Sequence, residues 1–217
     1  VLVNAVYFKG AWDTAFDPSK TGLQPFTLSD GTMVNVPTMS GMVNLRGGIA
    51  GGPANTTLVY ELGYKGGAYA MDFLLPSGQL SAFESSLTPS VLNAALDSLG
   101  APSQDQLLLP KFAFTTRLVL TPVLAGMGMP DLFDGAKANL SGMDGRMDLF
   151  VHVVVQQALI HVDEEGTIAA SATAAGAQPG VAPTPVVIDQ PFLFLIRDTK
   201  SGSILFMGRV EDPRQGS

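Results

Sequence analysis

The sequence predicts an α+β fold in which strands dominate, and three observations carry that reading. Short apolar runs with period-two alternation recur between glycine and proline turns. One segment, residues 79–99, switches to three- and four-residue spacing. The composition, 46% apolar and only 14% charged over 217 residues, is that of a packed domain rather than a disordered chain. This length suits one sizeable core, so the expectation is a single domain or part of one.

Residues 1–8 read as a strand, with Lys9, Gly10, Ala11 and Trp12 turning out of it. A second run, 22–28, turns at Asp30-Gly31 into a third at 33–38. The glycine-rich stretch 41–53 has weak periodicity and is expected to be a loop. Residues 57–64 and 69–75 form a hairpin about Lys65-Gly66-Gly67. In 79–99, Leu80, Phe83, Leu87, Val91, Leu92, Ala95, Leu96 and Leu99 mark a helical face, broken at Pro89 with Thr88 as N-cap of a second helix. Strand returns at 107–114, a short helix with Pro122 in its first turn covers 121–127, and 131–145 is loop-like. The methionines from Met127 to Met147 are expected to fill core gaps. A long strand over 149–163 places Gln156, Ala158, Ile160 and Val162 on one face. After an uncharged stretch rich in Ala, Gly, Ser, Thr and Pro at 166–185, two further strands, 192–197 and 203–210, close the sequence.

Several function classes are excluded early. The chain has no cysteine, which removes disulfide scaffolds, thiolate metal sites and a cysteine nucleophile. A net charge of −7, from 12 Lys and Arg against 19 Asp and Glu, repels phosphate, so neither nucleic acid nor an anionic membrane is an expected partner. No run reaches the roughly 18 to 20 apolar residues of a membrane-spanning helix. Because the chain opens at full strength on Val1-Leu2-Val3, inside a strand, a truncated chain is the expectation.

Enzyme motifs are missing as well: neither a Gly-x-Ser-x-Gly elbow, a phosphate-binding glycine loop, a dinucleotide fingerprint nor a His-Glu-x-x-His pair occurs. His152 and His161 are nine apart, an odd spacing that puts them on opposite faces of an extended strand, so they are read as structural or solvated and no metal site is assigned. Asp163, Glu164 and Glu165 are read as a solvated strand end rather than acid/base machinery. Asn55-Thr56-Thr57 and Asn139-Leu140-Ser141 match the glycosylation sequon, a pattern short enough to arise by chance. No cofactor is called for.

The segment 166–185 remains. A linker should separate domains, yet the strands after Gln190-Pro191 are too few to fold alone and must pack back onto the preceding ones. Both ends of the segment are therefore anchored on one body. An anchored, uncharged loop of small residues is open to a protease and able to enter a sheet, since its Thr, Ala and Ser side chains fit between packed strands.

At this point the sequence resembles the serpin family, the serine protease inhibitors. Asp163-Glu164-Glu165-Gly166-Thr167-Ile168-Ala169-Ala170-Ser171-Ala172-Thr173 is similar to the family's hinge, and Phe192-Leu193-Phe194-Leu195-Ile196-Arg197-Asp198 with Leu205-Phe206-Met207-Gly208-Arg209-Val210 to its C-terminal hairpin. Val3-Asn4-Ala5-Val6-Tyr7-Phe8-Lys9-Gly10-Ala11-Trp12 resembles the third strand of the main sheet and the tryptophan just beyond it. Leu109-Pro110-Lys111-Phe112 to Leu140-Ser141-Gly142 follows the segment leading to the hinge.

The resemblance runs along the whole chain but matches only the C-terminal part of a single serpin domain. It implies a serpin-like multi-sheet α+β fold with an exposed reactive loop at about 166–185, the N-terminal helical half being absent. It further implies no enzymatic activity but suicide inhibition: a protease attacks the loop, which then inserts into the main sheet as a new strand. Hinge residues on this reading are Glu165, Gly166, Thr167, Ala169, Ala170, Ser171, Ala172 and Thr173, and Asn4, Trp12 and Gln156 belong to the region where the sheet opens. Gln156 stands where many serpins have histidine, and Ile168 where the family often has glutamate. On insertion Thr167, Ala169, Ser171 and Thr173 point inward, all small and uncharged, which favours an inhibitory serpin. The family's usual loop length puts the reactive bond between Gly180 and Val181. With no basic or aromatic residue in 178–182, the expected partner is a serine protease with a small primary pocket, elastase-like or subtilisin-like. Extracellular or periplasmic work, and self-association by loop–sheet exchange, complete what the resemblance implies.

Overall fold

The computed structural model describes residues 1–52, 55–167 and 184–215. These fall into two compact units, one of Val1–Phe8 with Phe114–Ile160 and one of Lys9–Ala113 with His161–Ser217.

The first unit holds a three-stranded sheet in the order β1-β9-β8, where β1 is Leu2–Tyr7, β8 is Phe112–Val119 and β9 is Val154–Val162. β1 runs parallel to β9, in a register that sets Leu2 beside Val154, Asn4 beside Gln156 and Tyr7 beside Leu159. The strand expected over 149–163 starts late because the chain is diverted first: the Val151 amide donates to Leu132 O at 3.0 Å, and the Val154 amide to the Thr121 hydroxyl at 2.9 Å. His152 accordingly lies outside the strand, where the opposite-face argument does not apply. Two short helices, α3 at Thr121–Gly126 and α4 at Ser141–Asp144, have no buried residue. Met143 on α4 and the neighbouring Met127, Met129 and Met147 are exposed, against the expectation that they fill a core. The methionines that do so are Met39 and Met71, both on strands of the second unit.

An eight-stranded sheet organises that unit, in the order β11-β7-β4-β5-β6-β12-β13 with β3 also paired to β4. Its strands are β3 (Gly22–Thr27), β4 (Met33–Ala50), β5 (Thr57–Gly63), β6 (Tyr69–Pro76), β7 (Ser103–Pro110), β11 (Val186–Val187), β12 (Phe192–Asp198) and β13 (Ile204–Val210). The 57–76 hairpin forms about Gly66 and Gly67, both with positive φ, and β12 adds to β6 in antiparallel register. One expected strand, 107–114, is instead the end of β7 and the start of β8. Pro110 has no amide to continue the ladder, and the Lys111 amide turns to Pro37 O at 2.8 Å.

Residues 41–50 of the expected loop are the second half of β4, an 18-residue strand that pairs in turn with β3, β7 and β5. Its glycines serve close approach rather than turning. A Cβ on Gly48 would stand 2.6 Å from Ser98 O, one on Gly41 would meet the Phe16 ring at 3.1 Å, and the Gly47 carbonyl accepts from the Gly100 amide at 2.9 Å. What docks against Gly47 and Gly48 is the end of a helix pair, α1 (Leu80–Ser86) and α2 (Pro89–Asp97). Thr88 caps α2 through its hydroxyl, which accepts from the Val91 amide at 3.2 Å, and Pro89 occupies the first turn. The pair buries Leu80, Leu92, Ala95 and Leu99 against Val59, Leu74, Leu193 and Leu195, whereas Val91 faces outward. Strand β12 is thus part of the core, with Phe192 through Ile196 all buried.

Candidate hinge of a reactive loop

The site is assembled in the second unit from two short strands, β2 (Gly10–Ala11) and β10 (Gly166–Thr167). They pair antiparallel, Gly166 opposite Ala11 and Thr167 opposite Gly10. A tight turn feeds β10: Asp163 and Gly166 exchange both backbone hydrogen bonds, at 3.0 and 3.2 Å, while the Asp163 carboxylate accepts from the Glu165 amide at 3.0 Å. Gly166 has φ +127°, and a Cβ there would meet the Gly10 carbonyl and stand 2.7 Å from both Ala11 Cα and Trp12 N. Only glycine fits that conformation against that backbone.

Trp12 fastens the turn to the sheet. Its indole Nε1 donates to Asp163 O at 2.9 Å, its amide donates to Glu165 O at 3.1 Å, and its ring stacks on Tyr64 with centroids 4.6 Å apart. The Asp13 and Lys65 amides bond Gly63 O and Ala11 O on the other side, so residues 10–16 bridge the end of β5 and the hinge. Buried, with its indole and amide N–H groups both bonded, this tryptophan fixes the position of the 163–166 turn.

Glu164 is not a solvated strand end, because it is buried. Its Oε2 accepts from Lys111 Nζ at 2.7 Å and its Oε1 from the Thr21 hydroxyl at 2.6 Å, while its backbone O accepts from the Phe16 amide at 2.8 Å. Burial raises the cost of ionising this carboxyl, but the Lys111 and Thr21 hydrogen bonds outweigh it and hold the group below the usual glutamate value. Its contribution to stability is therefore present above about pH 4.5 and lost as the pH falls through the lower folded value. Glu164→Gln is expected to destabilise by about 2 kcal/mol at pH 7, since Lys111 loses its carboxylate but keeps partial access to water. Denaturant midpoints of the two proteins should converge as the pH drops below 4, and an equal gap at pH 3 and pH 7 would refute the assignment.

The structure brings Trp12, Glu165, Gly166 and the backbone of Thr167 together. Asn4 and Gln156 stand side by side on β1 and β9 in the first unit. Ala169, Ala170, Ser171, Ala172 and Thr173 of the hinge, and the reactive bond at Gly180 and Val181, lie outside the described residues. Past them, β11 pairs parallel with β7, Val186 opposite Leu107, so both described feet of the 166–187 stretch are strands of one unit. Sequence reasoning missed Lys111, Thr21 and Tyr64. Lys111 was within reach, lying in the Leu109-Pro110-Lys111-Phe112 block, but nothing in the sequence distinguished Thr21. His161 stands 3.5 Å from Asp163, and among the described residues no group of three His, Asp or Glu side chains could hold a metal ion.

Residues 1–213 match the family described as Serpin (serine protease inhibitor). Glia-derived nexin of Homo sapiens is 35% identical over 218 residues, which cover 98% of this chain and 54% of the relative. Iripin-3 of Ixodes ricinus is 39% identical over 215 residues, covering 97% and 54%. Among solved structures, the crystal structure of native protease nexin-1 with heparin superposes with a TM-score of 0.82 at 32% identity, covering 97% of this chain and 56% of that one. The chain spans about half the length of the curated relatives it matches. The strands and short helices are those of an α+β serpin domain in part, and the chain belongs to the serpin (serine protease inhibitor) family.

Proposed function

We propose that this chain carries the reactive loop of a suicide inhibitor of serine proteases, as part of a single domain. The protease serine attacks the Gly180 carbonyl carbon and the Gly180–Val181 amide breaks. The Val181 amine takes up a proton and leaves, and the acyl-enzyme is carried away as the loop enters the main sheet. Insertion of residues 167 to about 180 creates a strand of about 45 Å at roughly 3.3 Å per residue. It adds about a dozen ladder hydrogen bonds at about 1 kcal/mol net each, comparable to the stability of a whole domain.

The observation that carries this reading is the pair of anchored feet, β10 on β2 and β11 on β7, with only small or uncharged residues between them. Glu165, Gly166 and Thr167 begin the hinge, and Ala169, Ala170, Ser171, Ala172 and Thr173 continue it with side chains that a sheet can accept. Asn4 and Gln156, neighbours across the β1–β9 ladder, mark where that sheet opens, and Trp12 holds the hinge end of the loop. The bare window 178–182 favours proteases with small primary pockets, elastase-like or subtilisin-like, and the family resemblance favours an encounter in an extracellular or periplasmic space. Loop–sheet self-association is the competing reaction, since a loop able to enter its own sheet can also pair with the sheet of a second copy.

Incubation with an elastase-like and a subtilisin-like protease, followed by a denaturing gel and mass analysis, tests the mechanism. A detergent-stable band at the summed mass, with the cut inside 178–182, is the expected result. Clean cleavage in that window without the band would refute trapping and leave a non-inhibitory binding role. Cleavage elsewhere would refute the loop assignment itself.

A further inference from the structure

A row of charged residues crosses the sheet of the second unit where apolar packing would be expected. Arg46 on β4 pairs with Glu61 on β5, Glu61 pairs with Asp72 on β6, and Asp72 pairs with Leu195 on β12, from which Arg197 reaches back diagonally. Two carboxylates thus stand directly opposite each other, an arrangement that destabilises a ladder unless something neutralises it. Burial sharpens the conflict, since Asp72 is wholly inaccessible and the Glu61 side chain only 10% exposed.

The cations do not fully resolve it. One guanidinium, that of Arg197, serves both carboxylates. Its Nε donates to Asp72 Oδ2 at 2.6 Å, and its Nη2 donates to Asp72 Oδ1 at 3.3 Å and also to Glu61 Oε2. Arg46 gives Glu61 Oε1 one hydrogen bond at 3.0 Å. It spends Nε and Nη2 on Gly100 O and Leu99 O at the end of the helix pair, with 38% of its side chain exposed. Asp72 therefore faces one shared cation and one like charge in a site without water contact.

We propose that this row is a proton-binding site that makes the protein more stable in mildly acidic solution than at neutral pH. The groups facing Asp72 are Glu61 from β5, Arg197 from β12 and, beyond Glu61, Arg46 from β4. A proton on Asp72 removes the like-charge contact and leaves Glu61 to Arg197 and Arg46. In support, burial pushes the Asp72 carboxyl up to about 6 against the pull of Arg197, from an ordinary value of 3.8. The folded chain then holds a proton between about pH 4 and 6 that the unfolded chain has released. The associated stability is complete below the unfolded value and is lost as the pH rises through the folded one. Glu164 acts in the opposite sense, but only below about pH 4.5.

Urea unfolding of the full chain and of Asp72→Asn, at pH 7.5 and pH 5, reads this out. The ratio of the two folding equilibrium constants is expected to shift about tenfold in favour of the wild type on going to pH 5. A ratio that stays constant, or shifts the other way, would overturn the proposal. If Asp72→Asn does not fold, carbon-13 carboxyl titration of aspartate-labelled wild type decides instead. One aspartate resonance moving with a midpoint near 6 supports the site, and none moving above pH 5 overturns it.

Discussion

Gly166→Ala should unfasten the hinge and cost at least 3 kcal/mol of stability. The methyl group has nowhere to go. Gly10 O, Ala11 Cα and Trp12 N are backbone atoms of the paired strand, and no side-chain rotation can relieve them. Either the φ of +127° collapses and the Asp163–Gly166 turn opens, or β10 lifts off β2 and the loop loses its foot. Both routes disturb Trp12, the single tryptophan of the chain, so intrinsic fluorescence should shift to the red as the denaturant midpoint falls. Gly66→Ala is the control. Its φ of +88° is equally left-handed, but nothing lies within 4 Å of the added carbon, so only about 1 kcal/mol of backbone strain is expected. Equal losses in the two variants would mean that conformation, not close approach, governs the hinge.

Arg197→Met should be the second most damaging change, at about 4 kcal/mol at pH 7.5. The thioether fills part of the volume but leaves Glu61 and Asp72 opposed in the sheet with only the half-exposed Arg46 nearby. Removing one partner of a buried pair costs more than the pair contributed, because the survivor keeps its desolvation penalty. Part of the loss should be recovered at pH 5, where protonation relieves the two carboxylates. Thermal or urea unfolding at both pH values measures this, and a pH-independent deficit would show that Arg197 contributes packing alone.

The strands and helices most readable in the sequence were those whose local and tertiary signals agree. Thr88-Pro89 announced the start of α2 because capping is a local contact, and the 57–76 hairpin declared itself through Lys65-Gly66-Gly67. The second half of β4 was illegible for the opposite reason. Gly41 and Gly48 are there for Phe16 and Ser98, which come from distant stretches of chain, so their role has no local signature. At the hinge, the glycine, the small residues and the tryptophan were visible as a pattern. The burial of Glu164 depends on Lys111 and Thr21, 53 and 143 positions away, and a run of three carboxylates looks solvated until the fold supplies those partners.

The place of β12 in the sheet also sets a timetable for assembly. The strand seated between β6 and β13 is read from almost the end of the sequence, yet it supplies five consecutive buried side chains. A ribosome emitting this chain exposes the β6 edge, with its row of buried-type residues from Ala70 to Pro76, long before β12 exists to cover it. The parallel β1–β9 ladder waits in the same way for a partner some 150 positions downstream. Such a nascent chain is held open until its last strands emerge, which makes folding slow, late and dependent on whatever shields that edge meanwhile.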